Sequence, residues 1–334
     1  MPAEGSEKMK ISVIGAGSWG TTLANLLAEN NPDKDVFLWA REKEVAESIE
    51  KERKNKLFLP NINLSTKLKP TNSLAEAVKN ADLLVIVVPS QFLREKARDI
   101  SGHIGKNVTV VNAAKGMEVN TFKRMSEILR EEIPDSKIAV LSGPNHAEEV
   151  SKRIPTATVI ASKEADLDML KDLFETDYFK VYPHDDVIGV EICAAVKNIT
   201  AIATGVIDAL GMGDNAHGAI ITLGLREMVK VGKHFGAKES TFYGLSGVGD
   251  LVATCTSRHS RNRKAGNLIA KGYDFEKIKE EMHGMVAEGI MTCKALHEYA
   301  VKNDISLVIT SQAYKVLFEK KALEEAIKDL KKLI

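Results

Sequence analysis

The chain has 334 residues, enough for about two domains, and its 44% hydrophobic and 28% charged content is ordinary for a folded globular protein. Its 46 basic residues balance 46 acidic ones, which excludes a global field drawing in nucleic acid or an anionic membrane, so any anion site has to be local. Cys193, Cys255 and Cys293 lack C-x-x-C spacing and read as reduced thiols of a cytosolic protein, and eight scattered histidines predict no metal site.

The first eight residues, MPAEGSEK, have no apolar core of a signal peptide and are expected to be a disordered extension. No apolar run approaches the roughly 20 residues of a membrane span. A strand is predicted at Ile11–Ile14, running directly into Gly15-Ala16-Gly17-Ser18-Trp19-Gly20 and a helix at Thr21–Glu29. This is G-x-G-x-x-G in its dinucleotide-binding context. Gly15 permits the turn, Gly17 lets a pyrophosphate approach the backbone, and Gly20 lets the helix pack close, with free N–H groups aimed at the anion.

Strand and helix then alternate: strand Val36–Ala40, helix Glu42–Arg53, a short strand at Leu64–Leu68, helix Leu74–Lys79, and the buried-strand run Leu83–Val88. Helix Gln91–Ile100, strand Val108–Val111, helix Phe122–Glu131 and strand Ile138–Leu141 continue the pattern, and Thr156–Ala161 and Phe179–Tyr182 read as edge strands. The expected fold is α/β, a doubly wound, mostly parallel sheet. Ligands of such sheets sit outside the strands' carboxyl ends. Four loops leave those ends: Gly15–Gly20, Pro89–Gln91, Asn112–Glu118 and Ser142–Glu148. NAAKGME carries the single cation Lys115; SGPNHAEE carries Gly143 and Asn145. The two are expected to face the cofactor from opposite sides. After the second strand, where an acid would hold the ribose of NAD, stands Arg41, which suits a 2′-phosphate and favours NADP(H), with NAD(H) possible. Alternatively Arg41 merely begins the next helix and faces water.

From Val187 onward helices dominate: Val187–Leu210, Asn215–Phe235, Gly249–Cys255, Arg261–Lys271, Gly289–Val301, Gln312–Glu319 and Leu323–Leu333. The expected division is a dinucleotide-binding domain at 9–186 and a helical substrate-binding, catalytic domain at 187–334, with the active site in the cleft between them. Lys197 lies within the apolar stretch ICAAVKNITAIA. A buried lysine has a lowered pKa and can exchange a proton near neutrality; a snorkelling lysine at a helix edge is the plainer reading. Asp250, after Gly247 and Gly249, could pair with and orient it. TCTSRHSRNR, residues Thr254–Arg263, concentrates hydroxyls and three arginines ahead of a helix, as a phosphate site or a basic surface turn would.

The segments GAGSWGT, NAAKGME, LSGPNHAEEV, AVKNITAIATG, GDNAHGA, GLSGVGDLVATCTS, SRNRKAG and VAEG occur in the order seen in bacterial NAD(P)-dependent glycerol-3-phosphate dehydrogenases, and the chain resembles that family from about Met9 to Leu333. The resemblance implies reversible reduction of dihydroxyacetone phosphate to sn-glycerol 3-phosphate for the phospholipid backbone, by a cytosolic homodimer. It implies that Lys197 transfers the proton, with Lys115 and Asp250 assisting. It implies a substrate site of Lys115, Gly143, Asn145, Lys197, Asp250, Ser260, Arg261 and Asn262. Implied cofactor contacts, besides Gly15, Gly17 and Gly20, are Ser18, Trp19, Arg41, Lys115, Ala147, Arg261, Val286 and Glu288. Asn145 stands where the family often has Ser or Thr, and Leu223 where it often has Arg. Two other classes are a dehydrogenase for a different hydroxyacid or sugar-acid phosphate, which the Arg261 cluster disfavours unless the substrate is phosphorylated, and a non-catalytic dinucleotide sensor, which Lys197 disfavours.

Overall fold

A computed structural model describes residues 8–282 and 287–332; apart from Lys8, the expected N-terminal extension lies outside them. In chain order, β1 (Lys10–Ile14), α1 (Ser18–Asn30), β2 (Asp35–Trp39), α2 (Lys43–Glu52), β3 (Leu68–Thr71), α3 (Leu74–Val78), β4 (Leu83–Ile86), α4 (Leu93–Ser101), β5 (Thr109–Asn112), α5 (Met125–Glu132) and β6 (Lys137–Ser142) form the alternating part. Then come α6 (Ala147–Val150), β7 (Thr156–Ala161), α7 (Leu167–Phe174) and β8 (Phe179–His184). The strands make one eight-stranded sheet in the order β3-β2-β1-β4-β5-β6-β7-β8, with every pairing parallel except β6–β7. The chain reverses its direction of travel across the sheet between β1 and β4, so the crevice that binds a ligand opens above their carboxyl ends.

The turn that ends β1 needs its glycines. Gly15 has φ +115°, and a Cβ on Gly20 would lie 1.8 Å from the Gly15 carbonyl oxygen. Gly17 faces open space and caps α1 without a side-chain bond, so the first N–H groups of a 13-residue helix have no side-chain cap.

Beyond β8 the described elements are helices: α8 (Val187–Ala209), α9 (Asp214–His234), α10 (Glu239–Phe242), α11 (Asp250–Thr256), α12 (Arg261–Ala270), α13 (Phe275–Glu281), α14 (Glu288–Lys302), α15 (Val308–Phe318) and α16 (Leu323–Lys331). α8 is the axle against which α9, α11, α12 and α14 pack. α12 approaches it at backbone distance: a Cβ on Gly266 would meet the Ile202 carbonyl oxygen at 2.0 Å. In length and composition α8 would pass for a membrane span, but 83% of its most apolar window is buried, making it a core helix. All three cysteines are buried free thiols, and burial pushes Cys255 up to about 12.

Several expectations need correction. The third strand is Leu68–Thr71, not Leu64–Leu68. Ser65 forms a turn there, its hydroxyl accepting the Lys67 N–H, and β3 tolerates Pro70 because it is an edge strand. α5 starts at Met125 because Phe122 has φ 60° and a Met117–Arg124 bridge closes the preceding loop. β7 is no edge strand, since it lies between β6 and β8. α6, α7, α10 and α13 were not anticipated, and α15 begins at Val308, ahead of Gln312.

Candidate active site

The buried centre of the molecule is a chain of charges running from one unit into the other. Lys197, on α8, is 4% exposed and donates to Asp250 Oδ1 at 2.5 Å and Thr254 Oγ1 at 2.8 Å. Asp250, at the start of α11, is 1% exposed. Its other oxygen accepts from Lys115 Nζ at 3.1 Å. Lys115 also donates to the Gly143 carbonyl at 3.0 Å and to Asn145 Oδ1 at 2.9 Å, while Asn145 donates to Thr158 Oγ1 at 2.9 Å. The β5 and β6 loops are therefore bonded to each other and do not face from opposite sides, because their strands are neighbours in the sheet.

An ammonium has three donors. All three of Lys115 have protein acceptors; among the described residues Lys197 has two, leaving one N–H for a ligand. The cluster holds two cations around one anion. Such an excess positive charge in a buried place is costly unless an anion or a developing negative oxygen meets it. Burial lowers the Lys197 pKa to about 7, with Lys115 assisting and Asp250 opposing. Burial raises the Asp250 carboxyl, but the two lysines more than offset it and keep it below the usual value. His146 approaches the Ala253 carbonyl at 3.4 Å, and burial, with both lysines, lowers its pKa.

α12 brings up the second part. Ser260, 4% exposed, caps it by accepting the Arg263 N–H at 3.3 Å. Arg261 is exposed at the first helical position and makes no ion pair among the described residues. Arg263 is engaged by Asp208 and the Thr256 carbonyl, and Arg258 is exposed on the edge of a neighbouring cleft with His146 and His259, so the three arginines do not act together. Asn262 is largely engaged too: its oxygen accepts the Gly289 N–H and its amide donates to Asn198 Oδ1, both at 2.9 Å, stitching α8, α12 and α14 together.

On the cofactor side, Ser18 Oγ donates to the Phe58 carbonyl at 2.9 Å, and Trp19 packs against Phe179 with a buried, unpartnered indole N–H. Arg41 follows β2, 73% exposed at its side chain and paired with Glu42 at 2.6 Å. Ala147 is buried where α6 meets α1, its carbonyl accepting from Thr22 at 3.4 Å. Glu288 accepts from Ser90 N at 3.0 Å and Ser90 Oγ at 2.5 Å, joining α14 to the loop after β4. Val286 lies outside the described residues. The open Gly17 backbone, the helix terminus without a side-chain cap and the orphaned Trp19 N–H fit a bound dinucleotide. Thr254 and Ser90 are partners that sequence reading missed; Thr254 was visible only as one hydroxyl in a hydroxyl-rich segment. Among the described residues no three His, Cys, Asp or Glu side chains come together as a metal site.

Comparison with known proteins follows the same two units. The family model described as NAD-dependent glycerol-3-phosphate dehydrogenase N-terminus matches residues 10–168, and that of the C-terminus matches 186–328. A glycerol-3-phosphate dehydrogenase of the NAD(P)+ type from Enterococcus faecalis is 44% identical over 327 residues, covering 97% of this chain and 95% of the relative. One from Clostridium perfringens is 45% identical over 320 residues, covering 95% and 96%. The crystal structure of the Coxiella burnetii glycerol-3-phosphate dehydrogenase superposes with a TM-score of 0.92 at 35% identity, over 97% of this chain and 98% of that one.

Asp250 is the one group in the cluster that raises the Lys197 pKa. Asp250→Asn is therefore expected to move the pH at which the Lys197 amine loses its proton further down from about 7. The 15N shift of lysine-labelled protein reads this directly; an unchanged or higher midpoint would show that Asp250 does not act on Lys197.

Proposed function

This chain belongs to the NAD-dependent glycerol-3-phosphate dehydrogenase family, and from that premise we propose which of its residues carry each part of the reaction. It is an NAD(P)-dependent oxidoreductase that reversibly reduces dihydroxyacetone phosphate to sn-glycerol 3-phosphate, the backbone of glycerophospholipids. The observation that carries the assignment of roles is the Lys115–Asp250–Lys197 cluster, with Asp250 and Lys197 buried and Lys115 half-buried, and its excess positive charge.

The bound nicotinamide supplies the hydride that C2 of the ketone receives. As charge grows on the ketone oxygen, the free N–H of Lys197 stabilises it and then transfers its proton, leaving the alcohol and a neutral amine. Asp250 and Thr254 hold the amine in place by two bonds, so no side-chain entropy is lost at the moment of transfer. Lys115 adds a fixed positive potential and, through Gly143 and Asn145, frames the substrate. Arg261, without an ion pair among the described residues, lies beside the capped start of α12 and grips the phosphate, with Ser260 and Asn262 beside it. Gly15, Gly17, Gly20, Ser18, Trp19, Ala147 and Glu288 would hold the dinucleotide. Arg41 exchanges its weak exposed pairing with Glu42 for a 2′-phosphate, which favours NADP(H) over NAD(H). The dinucleotide unit spans 9–186 and the catalytic unit 187–334, in a cytoplasmic homodimer.

The direct test is oxidation of NADPH and NADH with dihydroxyacetone phosphate. Lys197→Ala should lower kcat at least about a hundredfold while NADPH still binds. In the wild type, reduction should slow as pH rises through about 7, where the buried amine loses the proton it donates. Near-normal turnover in the variant would make Lys197 structural.

Arg41→Ala should weaken NADPH binding by about 1.5–3 kcal/mol, the value of a charged hydrogen bond, and NADH far less. Equal losses in fluorescence titrations would remove Arg41 from 2′-phosphate recognition.

Arg261→Ala should raise KM for dihydroxyacetone phosphate steeply and lower kcat, because phosphate binding energy orients the reacting carbon. Unphosphorylated dihydroxyacetone should be turned over equally poorly by wild type and variant. Equal losses of kcat/KM on both ketones would place the phosphate grip elsewhere.

A further inference from the structure

Glu191 is a buried carboxylate that the reaction does not use. It lies on α8, six positions before Lys197, and its side chain is 3% exposed. Its oxygens accept from Ser126 N at 2.7 Å, Ser126 Oγ at 2.6 Å and Arg124 Nη1 at 2.7 Å. Burial raises the Glu191 carboxyl, and Arg124 and the Ser126 bonds pull it back. Removing one partner of such a buried pair strands a charge, yet an apolar pair of the same size is often no less stable; the best-attested use of a buried ion pair is to set register.

The register at stake is that of the loop that carries Lys115. It leaves β5, passes through Lys115 and closes on itself where Met117 bridges Arg124. Within the sheet unit it is gripped by Gln91, which donates to the Met117 carbonyl at 2.8 Å and accepts the Val119 N–H at 3.1 Å, and by the Arg94–Glu118 pair at 2.8 Å. Met117, Val119 and Phe122 pack into the helical core, but apolar contacts are non-directional. The Arg124–Glu191–Ser126 bonds tie the far end of the loop to α8 itself. We infer that Glu191 and Arg124, with Ser126, are positioning residues that fix the Lys115 loop against α8 and so set the distance between Lys115 and Lys197 across Asp250. The inference rests on the roles proposed above for the two lysines.

The test compares Glu191→Gln and Arg124→Lys with Glu227→Gln. Glu227 is also buried, but it caps α15 through Ile309 and Thr310, away from the reaction. In Glu191→Gln the loop loses its charged anchor and Lys115 drifts from Asp250. KM for dihydroxyacetone phosphate should rise about tenfold, within the range for coupled neighbours. Because Lys115 lowers the Lys197 pKa, the alkaline limb of kcat/KM for reduction should move to higher pH. Arg124→Lys keeps the charge and should show the same changes by a smaller factor. Glu227→Gln should lower Tm without moving KM or the limb. Wild-type KM and limb in Glu191→Gln overturn the inference, as do equal shifts in the Glu227 variant. If Glu191→Gln does not fold, Arg124→Lys decides: wild-type values there overturn the inference too. Failure of the wild type to reduce dihydroxyacetone phosphate would instead strike the functional reading, and this inference would fall with it.

Discussion

Everything in the candidate active site depends on one buried carboxylate, Asp250, held between the buried ammonium of Lys197 and the half-buried one of Lys115. Two lysines within reach of each other repel, and burial sharpens the repulsion. The carboxylate makes their approach possible, and one anion between two cations leaves the place hungry for negative charge. In the mechanism proposed above, a ketone becoming an alkoxide in front of Lys197 would satisfy that imbalance only as the reaction proceeds, which is the condition for binding the transition state better than the substrate.

The two units supply different things. The sheet provides the glycine turn and, from the adjacent ends of β5 and β6, a loop pair bonded into one surface through Lys115. The helical unit provides α8, a long apolar helix that excludes water, and against it α11 and α12 present Asp250, Thr254 and Arg261. The close backbone crossing of α8 and α12 at Gly266 lets the start of α12 stand beside the lysine cluster.

Much of this was legible from local pattern. The glycine turn, the cation in NAAKGME and the lysine in an apolar helix are each features of a few consecutive residues, and each has a chemical reason to stand out. What escaped has no local signature. The Arg124–Glu191 pair spans 67 positions and Ser90–Glu288 spans 198, and in sequence each acid looks like any other on an amphipathic surface. The third strand was misplaced because Ser65 makes a turn that apolar spacing does not reveal. Asn262 sits at the expected helix start, yet most of its amide serves the packing of three helices.

The order in which the residues occur along the chain has a consequence for how the protein comes into being. During synthesis the sheet unit emerges first, with its glycine turn and the loop that carries Lys115. Lys197 follows, and its counter-ion arrives 53 positions later. Until then both lysines lack the charge that lets them approach, so the nascent chain holds the glycine-turn crevice before it holds the cluster proposed above for catalysis. The charge cluster closes late, when α11 docks against α8 and brings Asp250 between the two lysines.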